Sequence, residues 1–287
     1  MKGCPLSCAW CCNPESRSPR PQLRYIEHNC TACYGCMAVC PAGAIYPGGE
    51  KIAIDFTACE TCETKPCLDA CYHGALLLTG KAIDTAKLIG IISKDIPFYR
   101  NSGGGVTFTG GEPLAQADFL LEMLKECRKN GIHTAIETCG CGDPADFGRI
   151  APFTDLFLFD IKIVDSGLHR EYTGRDNRLI LENLERLAAL NASITLRFPL
   201  IPGITDTNEN ILDVMLLMDR LGLQQIDLEP GHSLGFAKYD ELGMTNPMSG
   251  KLDDTGYSPN RLDSVCTRME RIQKERGFTQ IRINRSV

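Results

Sequence analysis

Three cysteines near the start of the chain have the residue type and spacing of metal ligands. Cys4, Cys8 and Cys11 form a C-x3-C-x2-C run within Gly-Cys-Pro-Leu-Ser-Cys-Ala-Trp-Cys-Cys-Asn-Pro-Glu, residues 3–15. Three thiolates on one short loop can bind one soft metal centre. A structural zinc ion takes four ligands, and the sequence offers no fourth at a fitting distance. A four-iron cluster on three thiolates leaves one iron open for chemistry, while a zinc loop or a chance grouping is the alternative.

A glycine-rich segment supplies the second candidate site. Residues 103–113 read Gly-Gly-Gly-Val-Thr-Phe-Thr-Gly-Gly-Glu-Pro, so a short apolar strand runs directly into Gly110, Gly111, Glu112 and Pro113. Glycines let the backbone come close to a ligand, and the Glu112 carboxylate offers an acceptor for an ammonium group. A Gly-Gly-Glu-Pro turn alone is a weak signal because glycine turns are common. After a strand and beside the cysteine loop, it is specific.

Together the two motifs resemble those of the radical S-adenosylmethionine (SAM) enzymes. Within that group, Gly-Cys-Pro-Leu-x-Cys-x-Trp-Cys-x-Asn-Pro-Glu and Gly-Gly-Gly-Val-Thr-Phe-x-Gly-Gly-Glu-Pro resemble the activating enzymes of glycyl radical enzymes, and the likeness extends from Lys2 to about Gly243. The resemblance implies a SAM-binding 4Fe–4S cluster on the three cysteines. It also implies that the Gly-Gly-Glu-Pro segment binds the methionine amino group of SAM.

The resemblance further implies an activity and its partners. The chain would be an oxidoreductase that reductively cleaves SAM to a 5′-deoxyadenosyl radical, which then takes a hydrogen from a glycine of a glycyl radical enzyme. Flavodoxin or ferredoxin would be the reductant, the activase would be a monomer, and the setting would be anaerobic. Activators of pyruvate formate-lyase generally lack the cysteine-rich insert described below. The partner is therefore expected among dehydratases, decarboxylases, C–N or C–S lyases, or arylsuccinate-type synthases.

Two other function classes are compatible with parts of the pattern. A radical SAM enzyme acting on a small molecule would need a pocket closed by additional C-terminal structure, whereas this chain ends soon after its last predicted strands. A ferredoxin-type electron carrier would need neither the Gly110–Pro113 motif nor an incomplete three-cysteine site. The activase prediction is favoured over both alternatives. Cleavage of SAM under a strong reductant would distinguish an activase from an electron carrier.

Two further cysteine runs follow a Pro/Arg/Ser-rich linker at residues 16–22. Residues 30–41 have the bacterial ferredoxin spacing C-x2-C-x2-C-x3-C-P, and residues 59–71 form a looser copy, with related tails at 39–45 and 70–76. In two-cluster ferredoxins the fourth cysteine of each run binds the other cluster, and a pair of zinc sites is the alternative. We predict one cluster on Cys30, Cys33, Cys36 and Cys71, and another on Cys59, Cys62, Cys67 and Cys40. Neither half of residues 24–78 should then fold alone, because small folds with little apolar core need metal staples.

From Lys81 onward, helical and strand patterns alternate, which indicates a parallel sheet. Predicted strands cover 106–109, 133–137, 155–161, 193–199 and 225–229, with a short closing strand at 279–283. Predicted helices cover 83–98, 117–130, a short stretch near 146–151, 177–191, 209–221 and 260–276. The run Phe157–Phe159 predicts a fully buried strand.

The cluster loop begins unusually close to the first residue. Residues 1–3 are too few for a strand of ordinary length, although relatives in the family have one there. We therefore expect the first barrel strand to be missing from this chain. The predicted fold is α/β: a partial (β/α)6 radical SAM barrel with an inserted ferredoxin-like domain carrying two 4Fe–4S clusters. Its parts are the cluster loop (1–22), the insert (23–79) and the remainder of the barrel (80–287).

Two pairs of polar residues follow predicted strands, where parallel α/β folds place their sites. Glu137 and Thr138 end one strand, and Asp160 and Lys162 end the next. By resemblance, both pairs lie near the SAM methionine and ribose, and near a monovalent cation in some members. Lys162 could pair with the SAM carboxylate, and Asp160 could bind a hard cation through oxygen. The alternative is a solvated Asp160–Lys162 ion pair at the exposed barrel mouth.

Two further candidates lie on the later strands. Arg197 stands inside an apolar strand and needs a partner, since an unpaired buried charge is costly; we assign it either to SAM or to a structural pair with Glu137. His232 follows the 225–229 strand in Leu-Glu-Pro-Gly-His-Ser-Leu-Gly. Family members have a histidine here that contacts SAM, often after an aromatic residue where this chain has Gly231. A loop histidine bonded to the backbone is the alternative.

The composition restricts the class of protein. The 287 residues allow one large domain and a small insert, and 43% hydrophobic with 23% charged residues is ordinary for a globular protein. A net charge of −6 argues against a nucleic-acid surface. No apolar run of membrane-spanning length and no signal peptide are visible. We expect a cytoplasmic protein without nucleic-acid or membrane partners.

Sixteen cysteines are many, and twelve of them precede Tyr72. The chain is too long, and its later part too poor in cysteine, for a secreted disulfide scaffold. Reduced, metal-bound thiolates are the better interpretation. Cys12 directly follows Cys11, so its side chain should point away from the site. We expect the four remaining thiols to be structural: Cys127, Cys139, Cys141 and Cys266.

Overall fold

The computed structural model describes residues 1–251, 257–278 and 280–285. The cysteine-rich part contains four short strands and two short helices: β1 (Gln22–Tyr25), α1 (Gly35–Ala38), β2 (Ile45–Pro47), β3 (Ile52–Ile54), α2 (Phe56–Glu60) and β4 (Leu76–Thr79). Strand β1 pairs antiparallel with β4, and β2 pairs antiparallel with β3. Because Gln22 lies opposite Thr79, this segment leaves and re-enters the remaining fold at one place. It has a hydrophobic cluster of its own, which includes Leu23, Ile45 and Leu76.

The second part alternates helices and strands around one sheet. Its helices are α3 (Thr85–Ile92), α4 (Ile96–Ser102), α5 (Ala117–Lys129), α6 (Pro144–Ile150), α7 (Ser166–Thr173), α8 (Arg178–Ala189), α9 (Asn208–Leu221), α10 (Ala237–Glu241) and α11 (Pro259–Arg276). Its strands are β5 (Gly105–Phe108), β6 (His133–Thr138), β7 (Leu156–Asp160), β8 (Ile194–Leu200), β9 (Gln225–Pro230) and β10 (Arg282–Arg285). The strands pair in parallel in the order β10-β9-β8-β7-β6-β5. The predicted α/β class with a parallel sheet is therefore confirmed.

The strand count differs from the prediction in one respect. We counted five barrel strands and treated the closing strand separately, but β10 extends the same sheet by pairing with β9. It starts later than predicted, and Thr279 lies outside the described residues. At the opposite edge, the first residues of the chain lie against the turn after β5. There the Gly111 amide donates to the Met1 carbonyl (2.9 Å) and the Glu112 amide donates to the Gly3 carbonyl (2.7 Å). That the first barrel strand is missing from this chain stays a prediction.

Several helix boundaries follow from local chemistry. The single helix predicted over 83–98 is wrong, because the chain forms α3 and α4 with a 3-10 turn at Ser93–Asp95 between them. Pro97 lacks an amide proton and fits the first turn of a new helix better than the middle of a long one. The start of α3 is fixed by Asp84, which accepts a hydrogen bond from the Lys87 amide (2.7 Å). Short α7 and α10 were not predicted.

The interior face of the sheet explains how the site forms. Phe157 and Phe159 are fully buried, but Leu158 is only half-buried, so the prediction of a fully buried strand is wrong. Side chains alternate between the two faces of a strand, so Leu158 shares its face with Asp160. In register, Leu158 lies opposite Glu137, and Asp160 lies opposite Arg197. The polar residues of three neighbouring strands therefore converge on one face.

The described residues include no helix with the length and apolar character needed to cross a lipid bilayer.

Candidate active site

The cysteine loop and the glycine-rich turn line the same cavity. This space of about 780 Å³ is lined by Cys4, Cys8, Cys11, Gly110 and Gly111, among others. A second cavity of about 710 Å³ shares five lining residues with the first. These shared residues are Trp10, Cys12, Glu137, Asp160 and Lys162. The two spaces therefore adjoin at these five residues.

Backbone hydrogen bonds give the cysteine loop a defined shape. Its two ends are held together, because Gly3 donates to the Ser16 carbonyl (2.8 Å) and the Cys4 amide donates to the Arg17 carbonyl (3.0 Å). Its middle is held by the end of α7, where Ser7 and Ala9 donate to the carbonyls of Thr173 and Tyr172, each at 2.8 Å. The unpredicted helix α7 thus positions the three cysteines.

The three thiols have different electrostatic environments. A hydrogen bond with the Cys139 thiol lowers the pKa of Cys4 to about 7. Burial raises the pKa of Cys8 to about 12. A metal site needs thiolates, and the positive charge of the bound metal favours them. The donor set of Cys4, Cys8 and Cys11 in one cavity therefore fits a cluster of soft metal ions.

Two other cysteines lie at this site against expectation. Cys12 does not point away: it lines both cavities, and its Sγ lies 3.6 Å from Nδ1 of His232. Cys139 was expected to be only structural, yet it is a buried part of the cavity wall that faces Cys4. Spacing in the sequence could not reveal Cys139, because 135 positions separate it from Cys4.

The two glycines make room for the chain itself. A Cβ on Gly110 would lie 2.0 Å from the Met1 nitrogen, and one on Gly111 would lie 2.3 Å from the Gly3 carbonyl oxygen. Gly110 also has a φ of +139°, which side-chain-bearing residues rarely adopt. We expected these glycines to admit a ligand. They line the cavity, but their missing side chains admit the start of the cysteine loop.

Glu112, Pro113 and Thr138 lie behind the cavity wall. The Glu112 carboxylate has 0% exposure and accepts hydrogen bonds from the Leu114 amide (3.1 Å), the Thr138 hydroxyl (2.8 Å) and the Cys139 amide (2.7 Å). Pro113 is buried and begins a 3-10 turn. Both carboxylate oxygens of Glu112 are thus bonded within the chain, and the expected acceptor for an ammonium group is used to join the ends of β5 and β6.

Asp160 and Lys162 form an ion pair in the cavity wall. Lys162 Nζ donates to Asp160 Oδ2 at 2.8 Å. Burial by itself lowers the pKa of Lys162, but the charge and hydrogen bond of Asp160, together with the charges of Cys8 and Cys139, outweigh burial. The pKa is therefore raised and the lysine stays charged. Lys162 is only 8% exposed, so the alternative of a solvated pair at an exposed mouth does not describe it.

Arg197 joins two carboxylates across the sheet. Its Nη1 lies 2.9 Å from Glu137 Oε2, which is the structural pair considered from the sequence. Its Nη2 and Nε lie 2.8 and 3.0 Å from Glu229 Oε1. Burial raises the pKa of Glu137, as does nearby Asp160, while Arg197 opposes the shift. Glu229 was not predicted, although its place at the end of β9, two residues before Gly231, was a usable signal.

His232 lines the second cavity beside Arg197 and Glu229. Its ring contacts Cys12, and the described residues show no hydrogen bond from this ring to a backbone group of its own loop. The structure thus brings Glu137, Asp160, Lys162, Arg197 and His232 around one space.

The eight cysteines of residues 30–71 fall into two groups. Cys30, Cys33, Cys36 and Cys71 line one cavity of about 320 Å³. In the other group, burial and then the neighbouring Cys59, Cys40 and Cys62 raise the pKa of the Cys67 thiol to about 11. Among the described residues, no three His, Cys, Asp or Glu side chains are placed as they would be around a single ion. In a cluster each thiolate binds its own iron, which is a different arrangement.

Comparisons with known proteins agree with these motifs. Residues 83–215 match the radical SAM superfamily. The chain is 41% identical over 264 residues to the 4-hydroxyphenylacetate decarboxylase activating enzyme of Clostridioides difficile (strain 630), covering 90% of this chain and 83% of that protein. It is 43% identical over 245 residues to the trans-4-hydroxy-L-proline dehydratase activating enzyme of Clostridioides difficile, covering 84% and 80%. A crystal structure of a domain of pyruvate-formate lyase-activating enzyme from Bacteroides vulgatus ATCC 8482 aligns with a TM-score of 0.50 and 27% identity, covering 64% of this chain and 99% of that domain.

Proposed function

Because this chain belongs to the radical SAM activating enzymes of glycyl radical enzymes, we propose that Cys4, Cys8 and Cys11 hold its SAM-binding 4Fe–4S cluster. We also propose that the two adjoining cavities hold SAM. The observation that supports this most is that the three thiols line one cavity, while five charged or polar side chains line the cavity that adjoins it. Like its relatives, the chain activates a glycyl radical enzyme, so the electron-carrier and small-molecule alternatives are set aside.

The chain's own residues bind and orient in this proposal. When bound, the cluster supplies one electron to SAM, whose C5′–S bond breaks to give methionine and a 5′-deoxyadenosyl radical that takes a hydrogen atom from the partner's glycine. Lys162, buried and charged, supplies the cation for the SAM carboxylate. Recognition of the SAM ammonium falls to backbone carbonyls of the Gly110–Gly111 turn, since the Glu112 carboxylate is used within the chain.

The remaining polar residues shape the other half of the cavity. Arg197 is paired with both Glu137 and Glu229, which leaves His232 and the Trp10 ring to contact the nucleoside part of SAM. Asp160 keeps the charge of Lys162 fixed and is the candidate ligand for a monovalent cation.

The cysteine-rich insert, residues 23–79, is proposed to hold two auxiliary 4Fe–4S clusters with crossed ligands, which brings the total to three. We propose flavodoxin or ferredoxin as the reductant, a monomeric activase, and a cytoplasmic location in keeping with reduced thiols. The relatives act on a decarboxylase and a dehydratase. The partner of this chain is accordingly proposed to be a glycyl radical enzyme of these kinds, or a related lyase, whose glycine loop enters the barrel mouth.

The test of the proposed function is iron content with EPR on anaerobically reconstituted protein. We expect about twelve irons per chain and a reduced EPR signal that changes on adding SAM. A variant with Cys4, Cys8 and Cys11 all changed to Ala should retain about eight irons and lose both the SAM response and 5′-deoxyadenosine formation. Eight irons in the unaltered protein, with no SAM response, would refute the proposed assignment of this site.

The crossed pairing predicts which cysteine substitutions are equivalent. Cys36→Ala and Cys71→Ala should each lose the same cluster, so the double variant should lose no more iron than either single, about four per chain. Combining Cys71→Ala with Cys67→Ala should instead remove about eight, because these two neighbours in sequence serve different clusters. Mössbauer and iron analysis provide the counts. Equivalence of Cys67 and Cys71 would contradict the crossed assignment.

A further inference from the structure

One short segment lies between the cysteine loop and the insert. We call residues 235–243, which contain α10, the bridging segment. Tyr239 at its centre is fully buried, and its hydroxyl donates to the Cys11 carbonyl (2.9 Å). Arg17 donates to that hydroxyl (3.0 Å) and to the Cys8 carbonyl (2.6 Å). The backbone at two of the three proposed cluster ligands is therefore held by one Tyr–Arg pair.

Other residues of the bridging segment strengthen its contact with the loop. Lys238 Nζ donates to Glu15 Oε1 (2.6 Å) and to Asn13 Oδ1 (2.9 Å), just beyond the cysteines. Gly235 lies so close that a Cβ there would be 2.1 Å from the Cys12 carbonyl oxygen. The Arg17 guanidinium also lies 5.5 Å from the centre of the Tyr239 ring. Residues 12–15, at the end of the cysteine loop, therefore contact the bridging segment at several positions.

The opposite side of the bridging segment contacts the insert. Glu241 accepts hydrogen bonds from Nε and Nη2 of Arg24 in β1, with Nε at 2.8 Å, and both side chains are mostly buried. Gly243 packs against Phe56 of α2, and a Cβ there would be 2.2 Å from its ring. Helical residues advance about 100° each, so Tyr239 and Glu241 project about 200° apart, towards opposite sides of α10. This explains how one turn of helix can touch both parts.

We propose that the insert positions the radical cluster through this bridging segment, with Arg24–Glu241 as the fixing contact and Arg17–Tyr239 as the contact that holds Cys8 and Cys11. The inference rests on the proposed function, because it concerns the cluster on Cys4, Cys8 and Cys11. It assigns the insert a role that does not depend on electron transfer. A relay would affect how fast electrons arrive, whereas a positioning contact affects how well the loop binds SAM.

The test reverses the ion pair and then restores it. Arg24→Glu and Glu241→Arg are prepared singly and together, reconstituted anaerobically and reduced with dithionite, which bypasses any relay. We expect each single variant to keep about twelve irons, to bind SAM about tenfold more weakly, and to show an altered SAM-dependent EPR signal. The double variant should recover most of the SAM affinity. Arg178→Glu, which reverses a charge in an exposed 3.8 Å pair with Glu182, is the matched control and should change nothing.

Tyr239→Phe is a second variant, which tests the proposal even if charge reversal at Arg24 or Glu241 detaches the insert from α10. It removes one hydroxyl on the loop side and leaves the insert contact intact, so SAM affinity and the EPR signal should shift while all irons remain. Tyr46→Phe on the exposed surface of the insert is its control. Unchanged SAM affinity and signal in Arg24→Glu, Glu241→Arg and Tyr239→Phe would overturn the positioning role. Failure of the proposed function would look different, because the unaltered protein would then show no SAM-dependent signal.

Discussion

Gly111→Ala is expected to lower SAM cleavage by at least about a hundredfold. A Cβ at this position would lie 2.3 Å from the Gly3 carbonyl oxygen and 2.6 Å from the Ser16 carbonyl oxygen. Both neighbours are backbone atoms, which cannot rotate away as a side chain does. They also form the hydrogen-bonded base of the cysteine loop, so relieving the clash must move the loop that carries the proposed cluster. A displacement of about 1 Å at a reacting centre has effects of this size.

The measurement is 5′-deoxyadenosine formed from SAM with dithionite as reductant, together with iron content. Gly90→Ala is the matched control: Gly90 lies within α3, and its added Cβ would meet no heavy atom within 4 Å apart from its chain neighbours and the backbone of its own helix. Alanine also favours a helix by about 1 kcal/mol. The control should therefore retain activity and gain a little stability. A Gly111→Ala protein that cleaves SAM at the normal rate would show that the close approach at this turn does not fix the loop.

The convergence of the site was largely predictable from sequence. Strand ends in a parallel sheet meet at one edge, and alternation along each strand decides which residues face inward. Glu137 and Asp160 satisfy both conditions, and Arg197, in the middle of β8, satisfies the second. The observed register places all three on one face. The same reasoning applied to β9 would have added Glu229. Glu229 was not predicted, because the family resemblance at this strand end pointed to His232, two residues after the strand.

Contacts that depend on distant parts of the chain could not be predicted in this way. Glu112 has the residue type of a ligand, but both of its carboxylate oxygens accept hydrogen bonds from three donors near the ends of β5 and β6. The sequence around Glu112 does not show whether its carboxylate binds a ligand or accepts hydrogen bonds from the chain itself. Cys12 and Cys139 likewise carry no spacing signal for their neighbours. Segments as short as α10 contain too few residues for a periodic pattern. The bridging segment between the insert and the cysteine loop could therefore not be predicted from the sequence.

Arg197→Met is expected to lower the free energy of unfolding by about 2 kcal/mol, less than for a fully buried pair because the three side chains are partly exposed. The substitution leaves Glu137 and Glu229 facing each other without the guanidinium that joins them. The pKa of Glu137 is already raised by burial and by Asp160, with Arg197 opposing, so losing Arg197 must raise it further. A carboxyl group whose pKa is raised on folding destabilises the fold when ionised. The deficit should therefore be greatest near about pH 8 and smaller near about pH 6, where protonation relieves the repulsion.

Urea midpoints of the anaerobic holoprotein at both pH values, with SAM affinity, measure this effect. Arg197→Met combined with Glu229→Gln should recover about half of the loss, because the second change removes one of the two unpaired charges. Arg220→Met is the matched control, since its pair with Glu185 is exposed and should contribute less than about 1 kcal/mol at either pH. If Arg197→Met matched this control at both pH values, the Glu137–Arg197–Glu229 bridge would not stabilise the barrel. The role of Arg197 would then lie in contact with SAM, as the competing assignment from the sequence holds, and SAM affinity alone would fall.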